Sequence, residues 1–201
     1  SHEVRTPLNG LILETQLRKM HLARGNLDAF SVDKLQAMVE RDERQINSLI
    51  RLVEDMLDVS RIRTGKLSLR PKLFDLGQLV RGLVENFTAQ AMALETHIEL
   101  QRCEALKGEW DEFRIEQVVA NLLSNALRHT PPGGRVTVAI VRQEGPLLLR
   151  VENTGETIPA QHLDRLFERF YRVDPARQHA AGEGTGLGLA ITQAILRAHQ
   201  G

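Results

Sequence analysis

The sequence of 201 residues contains one cysteine, Cys103, and no excess of charge of either sign. A single cysteine excludes an intrachain disulfide and a cysteine-rich metal site, and it favours a reducing, cytoplasmic setting. Because 26 basic residues balance 26 acidic ones, no overall field would attract nucleic acid or an anionic membrane. No apolar run reaches the about 18 residues that span a membrane, and no signal peptide is visible. What remains is a globular chain of one or two domains.

Two helical patterns occupy the first third of the sequence. Apolar residues predict one helix over residues 2–22 and a longer helix over residues 32–63. In the longer helix the apolar residues recur at spacings close to three and four, as in a coiled coil, and Asp42 interrupts the series. Since two helices cannot bury two such stripes, we expect a homodimeric four-helix bundle. Packing against a second domain is the alternative.

The helical pattern ends at residues 64–66, which include Gly65, and a mixture of strand and helix patterns follows. We therefore expect a helical domain over residues 1–66 and a second domain over residues 67–201. The second domain is predicted to contain strands at 67–71, 97–100, 135–142 and 147–152 and helices at 76–93, 112–128 and 186–199. This mixture predicts an α/β sandwich, with one sheet covered by helices on one face, and an α+β fold class for the whole chain.

The first chemically distinctive residue is His2, which Glu3 follows directly. The carboxylate of Glu3 can polarise the imidazole and accept its proton, so that the other ring nitrogen becomes a better nucleophile. Thr6 lies four residues further on and shares the helical face of His2, one turn away. A hydroxyl at that position could hold a water molecule against a phosphorylated imidazole.

Two amides, Asn121 and Asn125, share one face of the helix predicted over residues 112–128. A buried amide has to be hydrogen-bonded, and amide oxygens are suitable ligands for Mg²⁺ beside phosphate oxygens and water. The alternative interpretation is a pair of structural or capping amides. Arg128 and His129 follow, where a cationic or donor group could meet phosphate.

Two polar stretches come later in the sequence. Asn153 and Gly155 stand where a predicted strand ends, so that a polar side chain could read a base edge and a glycine would allow close approach. Residues 166–172 hold three of the eight aromatic residues. We expect them to anchor the polar stretch 174–183 as a mobile lid.

Glycines alternate near the end of the sequence, at Gly182, Gly184, Gly186 and Gly188, just before an apolar helix. Glycine costs about 1 kcal/mol in a helix relative to alanine, so four of them need a reason. Backbone amides and a helix N-terminus directed at phosphate would supply one. The spacing matches neither the phosphate-binding loop with its lysine nor the dinucleotide-binding fingerprint.

Together these segments resemble the catalytic core of a bacterial two-component sensor histidine kinase. Residues 2–9 are similar to the H box of that family, 121–125 to its N box, 153–159 to its G1 box, 167–172 to its F box and 182–188 to its G2 box. The five motifs follow the family's order, and the resemblance covers essentially the whole chain. It implies a dimerisation and histidine-phosphotransfer hairpin, followed by a Bergerat-type ATP-binding domain.

The resemblance also implies roles for individual residues. His2 would be the phosphoacceptor, Glu3 the general base, and Thr6 the residue that supports dephosphorylation of the partner protein. The residues implied at the ATP site are Asn121, Asn125, Arg128, His129, Asn153, Gly155, Arg172, Gly182, Gly184, Thr185, Gly186, Leu187 and Gly188. Asn121 and Asn125 would hold Mg²⁺, and Arg172 would approach the γ-phosphate. The implied partner is the receiver domain of a response regulator, whose aspartate accepts the phosphoryl group.

The chain departs from the family pattern at Asn153 and Thr157. The family usually has an aspartate at the first position, which accepts a hydrogen bond from the adenine amino group, and a glycine at the second. The amide oxygen of Asn153 can accept the same bond without a negative charge, so we expect weaker nucleotide binding. This type of G1 box, with the F-box sequence that follows, is similar to the heavy-metal-responsive subgroup.

The chain is expected to be a cytoplasmic fragment, because it starts within a helical pattern and stops before the family's closing strands. Its parent would lie in the bacterial inner membrane and meet the membrane through other segments. Two other functions stay open. One is a degenerate, nucleotide-binding dimeric scaffold without kinase activity. The other is an ATPase of the wider Bergerat superfamily, which the H box argues against because such ATPases activate water and need no histidine acceptor.

Overall fold

The computed structural model describes residues 2–64, 67–142, 147–173 and 185–200, and it describes only the backbone of His2, Glu3, Val4, Thr6, Pro7 and Arg63. Its described residues divide into two compact units, one with residues 2–60 and Thr185 and the other with the described residues from 61 to 173 and from 186 to 200. The lid predicted at 174–183 lies outside the described residues. Within the described ranges, no helix is both long and apolar enough to cross a membrane.

The first unit is built on a helical hairpin. Helix α1 (His2–Ala23) leads through a single 3-10 turn at Leu27–Phe30 into helix α2 (Val32–Arg63), whose predicted bounds are confirmed. The two helices run antiparallel, because Arg18 contacts Asp42 while Gly10 faces Gln45, further along α2. Large apolar side chains stay exposed on both helices: Leu8, Ile12, Leu13, Leu17, Met20 and Leu22 on α1, and Leu35, Val39, Ile46, Ile50, Val53 and Leu57 on α2.

The second unit alternates strands and helices. Its strands are β1 (Lys72–Asp75), β2 (His97–Cys103), β3 (Lys107–Trp110), β4 (Arg135–Arg142) and β5 (Leu147–Asn153), and its helices are α3 (Leu76–Ala93), α4 (Glu112–Arg128), α5 (Ala160–Leu163) and α6 (Gly188–Ala198). The bounds predicted for α3 and α4 are confirmed. Each of these helices begins at an aspartate cap, Asp75 accepting from the Gly77 amide and Asp111 from the Arg114 amide.

The strands form two sheets, so the prediction of one sheet is wrong. β2, β4 and β5 form a sheet in that order, in which β2 runs parallel and β5 antiparallel to β4. β1 and β3 form a separate antiparallel pair. The strand predicted at 67–71 is also wrong: the amide of Arg70 donates to the Asp111 side chain at 2.8 Å, and the strand begins at Lys72.

The core of the second unit lies between one face of the three-stranded sheet and helices α3 and α4. On β4, Val136, Val138 and Ile140 are buried while the alternate residues are not, which is the pattern of a strand covered more fully on one face. These strand residues pack with Val80 and Leu83 of α3 and with Val119, Leu123 and Leu127 of α4. Helix α6 packs against α4 and buries Ile191 and Ile195. This packing fixes the ends of α4, β5 and α6 relative to one another.

Candidate functional site

The residues predicted at the site fall into separate groups in the structure. His2, Glu3 and Thr6 lie in the first two turns of α1, and their side chains are outside the described part. Gly182 and Gly184 also lie outside the described residues. The second unit holds Asn121, Asn125, Arg128, His129, Asn153, Gly155, Arg172, Gly186, Leu187 and Gly188.

Asn121 connects α4 to the beginning of α6. It lies one turn before Asn125 in the C-terminal half of α4, and both side chains are half-buried. The amide nitrogen Nδ2 of Asn121 donates to the carbonyl oxygen of Gly188 at 3.4 Å, although 67 positions separate the two residues. Because the nitrogen is used in this bond, the amide oxygen is the atom oriented to meet a cation or a donor.

The carbonyl oxygen of His129 is the point where α4 meets the end of β5. His129 caps α4, its own amide donating to the Asn125 carbonyl at 3.2 Å. The Nδ2 of Asn153 donates to the His129 carbonyl at 3.5 Å and to the Thr154 carbonyl at 3.1 Å. The nitrogen of Asn153 is therefore turned towards backbone carbonyls, which makes its amide oxygen the acceptor on the other side of the group.

Gly155 is held against the same carbonyl. Its φ is +152°, and a Cβ atom built at this position would lie 2.6 Å from the oxygen of His129. A glycine is needed here because of both the close approach and the backbone conformation.

Thr154 is a residue that sequence reasoning missed. Its amide donates to the Arg135 carbonyl at 2.9 Å, and its Oγ1 accepts from the Arg135 amide at 2.9 Å. These bonds fix the end of β5 on the start of β4 and so hold Asn153 and Gly155 in place. The signal that would have identified Thr154 is the pairing of β4 with β5, which local sequence does not give.

The described part of the glycine-rich segment enters α6 through Gly186, Leu187 and Gly188. The carbonyl of Gly186, whose φ is +69°, accepts from the Phe170 amide at 2.9 Å. Leu187 is fully buried, and its carbonyl accepts from the Ile191 amide in the first turn of the helix. The backbone that leads into α6 is therefore fixed on one side by Phe170 and on the other by Asn121.

The cationic residues of the predicted site lie near the ends of these elements. Arg128 and His129 are exposed at the C-terminus of α4, and Arg172 is half-buried directly after Tyr171. His162 is a second residue that sequence reasoning missed. Its Nδ1 lies 2.5 Å from the hydroxyl of Tyr171.

Thr185 has a contact in the first unit. Its hydroxyl donates to Oδ2 of Asp55 on α2 at 3.1 Å. Burial raises the pKa of Asp55, and the bond from Thr185 partly offsets that effect. Thr185 was predicted to contact the nucleotide, and in the structure its hydroxyl contacts helix α2.

The predicted site residues can be compared with the ligands that a divalent cation requires. Within the described ranges, no cluster of three or more His, Cys, Asp or Glu side chains could hold a metal ion. Amide oxygens, together with phosphate oxygens and water, are hard ligands of the kind that Mg²⁺ prefers. Asn121 and Asn125 fit that requirement.

Comparison with known proteins assigns both units to families. Residues 1–65 match the His Kinase A (phospho-acceptor) domain, and residues 110–201 match the histidine kinase-, DNA gyrase B-, and HSP90-like ATPase family. The chain is 37% identical to the probable sensor kinase SilS of Salmonella typhimurium and 34% identical to the sensor histidine kinase CusS of Escherichia coli K12. Both alignments cover 100% of this chain, but only 39% and 40% of those relatives.

A solved structure extends the likeness to the fold. The histidine kinase AdeS of Acinetobacter baumannii matches with a TM-score of 0.70 at 27% identity, over 98% of this chain and 87% of that one. The fold is thus a helical phospho-acceptor region followed by an α/β ATPase domain. The chain therefore carries the two domains of a histidine kinase, and over its whole length it is similar to sensor histidine kinases.

Proposed function

We propose that this chain is the catalytic core of an ATP-dependent protein-histidine kinase of a two-component system. It autophosphorylates on His2 and passes the phosphoryl group to an aspartate in the receiver domain of a response regulator. Residues 1–66 form the dimerisation and phosphotransfer domain, and residues 67–201 form the catalytic domain. The parent protein lies in the bacterial inner membrane, and Thr6 supports dephosphorylation of the regulator.

The observation that carries this proposal is the convergence of three motifs at the C-terminal end of α4. Asn121 donates to Gly188, and the His129 carbonyl meets both Asn153 and Gly155. These residues are far apart in sequence, and each of them is suited to contact a nucleotide. The N-terminus of α6 supports phosphate binding, because its first amides and the helix dipole favour negative charge.

Each side chain has a role in that arrangement. The amide oxygen of Asn153 accepts a hydrogen bond from the adenine amino group, and Gly155 lets the base approach the backbone. Arg172 approaches the γ-phosphate, with Arg128 and His129 adding donors. Asn121 and Asn125 hold Mg²⁺, which neutralises charge on the phosphates when it is bound. The catalytic effect is mainly positioning and charge stabilisation.

The phosphoryl group is transferred from an oxygen of ATP to a nitrogen of His2, and then to an oxygen of the regulator's aspartate. A ring nitrogen of His2 forms a bond to the γ-phosphorus while the bond to the bridging oxygen breaks, and ADP leaves with that electron pair. Glu3 takes the ring proton. The aspartate of the regulator then attacks the phosphorus, and the bond between nitrogen and phosphorus breaks.

The exposed apolar residues of α1 and α2 support a homodimer. Residues such as Leu17, Leu35 and Ile46 are exposed on a helical hairpin that is long enough to form half of a four-helix bundle. A second copy would cover them, which agrees with the family of residues 1–65.

The test is incubation of the chain with γ-labelled Mg²⁺-ATP, beside the His2→Ala and His21→Ala variants. His21 lies on the same helix, so its variant controls for a general effect of removing a histidine from α1. We expect an acid-labile, base-stable label that is lost in His2→Ala and kept in His21→Ala. Nucleotide binding without any label would instead identify the degenerate scaffold.

Asn153 is tested separately, by nucleotide titration of an Asn153→Asp variant. A carboxylate accepts a hydrogen bond more strongly than an amide oxygen, and this gain should exceed the loss of the Nδ2 bonds to the His129 and Thr154 carbonyls. The affinity for nucleotide should therefore rise by about fivefold. An unchanged affinity would show that this side chain does not bind the base.

A further inference from the structure

The His162 side chain forms a specific hydrogen bond with the F-box residue Tyr171. The distance from Nδ1 of His162 to the Tyr171 hydroxyl is 2.5 Å, and the His162 side chain is half-buried. Gln161 Nε2 lies 3.3 Å from the other ring nitrogen of His162. The tautomer of His162 sets the direction of its bond with Tyr171, since the tyrosine hydroxyl can either donate or accept.

The ring of Tyr171 is held by a second group. The guanidinium of Arg165 lies 4.2 Å from the ring centroid, in the geometry of a cation–π contact. Arg165 is itself fixed by Glu168, with nitrogen–oxygen distances of 3.2 to 3.3 Å. The hydroxyl and the face of Tyr171 are thus fixed by two residues of the preceding segment.

The residue before Tyr171 has an unfavourable backbone conformation. Phe170 has φ of +63°, which is rare for a bulky side chain and persists only when its surroundings hold it there. Its amide donates to the Gly186 carbonyl at 2.9 Å, and a Cβ atom on Gly186 would lie 2.9 Å from the Cα of Phe170. The fixed Tyr171 is the neighbour that can maintain this conformation of Phe170.

The contacts continue from Gly186 to helix α4. Gly186 leads through the buried Leu187 to Gly188, whose carbonyl accepts from Asn121. From these contacts we propose that His162 is a positioning residue for the nucleotide. Acting through Tyr171 and Phe170, it fixes the backbone of residues 186–188 against Asn121. This inference rests on the proposed function, because it assumes that residues 186–188 meet the nucleotide.

Simple packing does not account for the arrangement. A phenylalanine at position 171 would keep the ring contact with Arg165 and fill the same space, but it could not form the bond with His162. Packing alone would bury the ring of Tyr171. The hydroxyl and the imidazole are needed only if the ring also has to keep one orientation. A hydrogen bond supplies that direction.

The experiment compares four single variants and one double variant of the full chain. His162→Phe and Tyr171→Phe each remove one partner of the bond while keeping a planar ring, and the double variant closes a mutant cycle. His162→Asn keeps an amide that can donate or accept a hydrogen bond close to the position of Nδ1. His199→Phe is the matched control, because it breaks bonds to Asp111 and Ile195 at the opposite end of α6.

The first readout needs no nucleotide. It is hydrogen exchange at the Phe170 amide, which donates to Gly186. We expect exchange to speed up in His162→Phe, in Tyr171→Phe and to the same extent in the double variant. It should recover in His162→Asn and stay unchanged in His199→Phe. Unchanged exchange in His162→Phe would overturn the inference.

The second readout is the equilibrium dissociation constant for ADP, beside the melting temperature. Loss of one hydrogen bond should weaken ADP binding about fivefold in His162→Phe, with recovery in His162→Asn. His199→Phe should lower the melting temperature without changing ADP affinity. Faster exchange with unchanged ADP affinity would overturn the positioning role. If the wild-type chain binds no ADP, the proposed function fails, and the nucleotide role of His162 fails with it.

Discussion

Arg18 and Asp42 form a two-pronged ion pair across the helical hairpin, with nitrogen–oxygen distances of 2.6 and 2.7 Å. The hydrogen bond from Arg18 holds the pKa of Asp42 below its usual range, and the same bond raises the pKa of Arg18. Glu14 joins the pair, at 3.2 Å from Arg18. The aspartate that interrupts the apolar series of α2 is therefore the partner of an arginine on α1.

This pair should set how the two helices align. Arg18→Ala and Asp42→Ala should each lower the stability of the chain by about 1 kcal/mol, because each leaves the other charge without its main partner. The double variant Arg18→Ala with Asp42→Ala should lose less than the sum of the two single losses. Thermal melts of the wild type and these three variants give the coupling. Additive losses in the double variant would show that the pair contributes nothing specific.

Gly155 should tolerate no side chain. Gly155→Ala would place a Cβ atom 2.6 Å from the His129 carbonyl at a φ of +152°. We expect a loss of about 1–3 kcal/mol in stability and weaker nucleotide binding. Gly82→Ala is the control, since nothing lies within 4 Å of its Cβ position inside α3. That variant should gain up to about 1 kcal/mol from helix propensity. Equal effects of the two substitutions would contradict the close approach.

Two buried threonines should respond to the same substitution in opposite directions. Thr192 is 4% exposed, and its hydroxyl has no hydrogen-bond partner within the described part of the chain. Thr192→Val removes that unsatisfied group and should stabilise the chain by about 1 kcal/mol. Thr130 is 8% exposed and donates to the Ala126 carbonyl at 2.7 Å. Thr130→Val should therefore destabilise by a similar amount. Denaturant unfolding of both variants checks the difference in sign.

Asp55 should make the stability of the chain depend on pH. Burial raises its pKa in the folded state, so the folded chain holds this proton more tightly than the unfolded chain does. The contribution of Asp55 to stability is then fully present below its ordinary pKa of 3.8 and is lost as the pH rises through the raised value. Asp55→Asn should be more stable than wild type at neutral pH, with a flatter profile.

Thermal melts from about pH 3 to 7 check the Asp55 prediction, since that range begins near the ordinary pKa of 3.8 and extends upward, the direction in which burial moves it. Glu43→Gln serves as the control, because Glu43 is an exposed acid on the same helix. A profile of Asp55→Asn that runs parallel to that of the wild type would show that Asp55 does not titrate with folding.

The helices could be predicted because their signals are local. Helix α2 follows from the spacing of its apolar residues, and α3 and α4 begin at Asp75 and Asp111, whose side chains cap the first turn. The strand at the start of the second unit was predicted five residues too early. The segment before that strand is instead bound through the Arg70 amide to Asp111, which is 41 positions away. A local pattern cannot contain that bond.

The sequence alone determined the order of the motifs with their residues and the bounds of helices α2, α3 and α4, because each rests on neighbouring side chains. The tertiary structure decided which residues of the motifs are in contact with one another. The contact of Gly155 with His129, the bond from Asn121 to Gly188 and the bond from His162 to Tyr171 depend on packing and strand pairing. Such contacts join residues that are brought together only when the core closes, and their geometry depends on the whole fold.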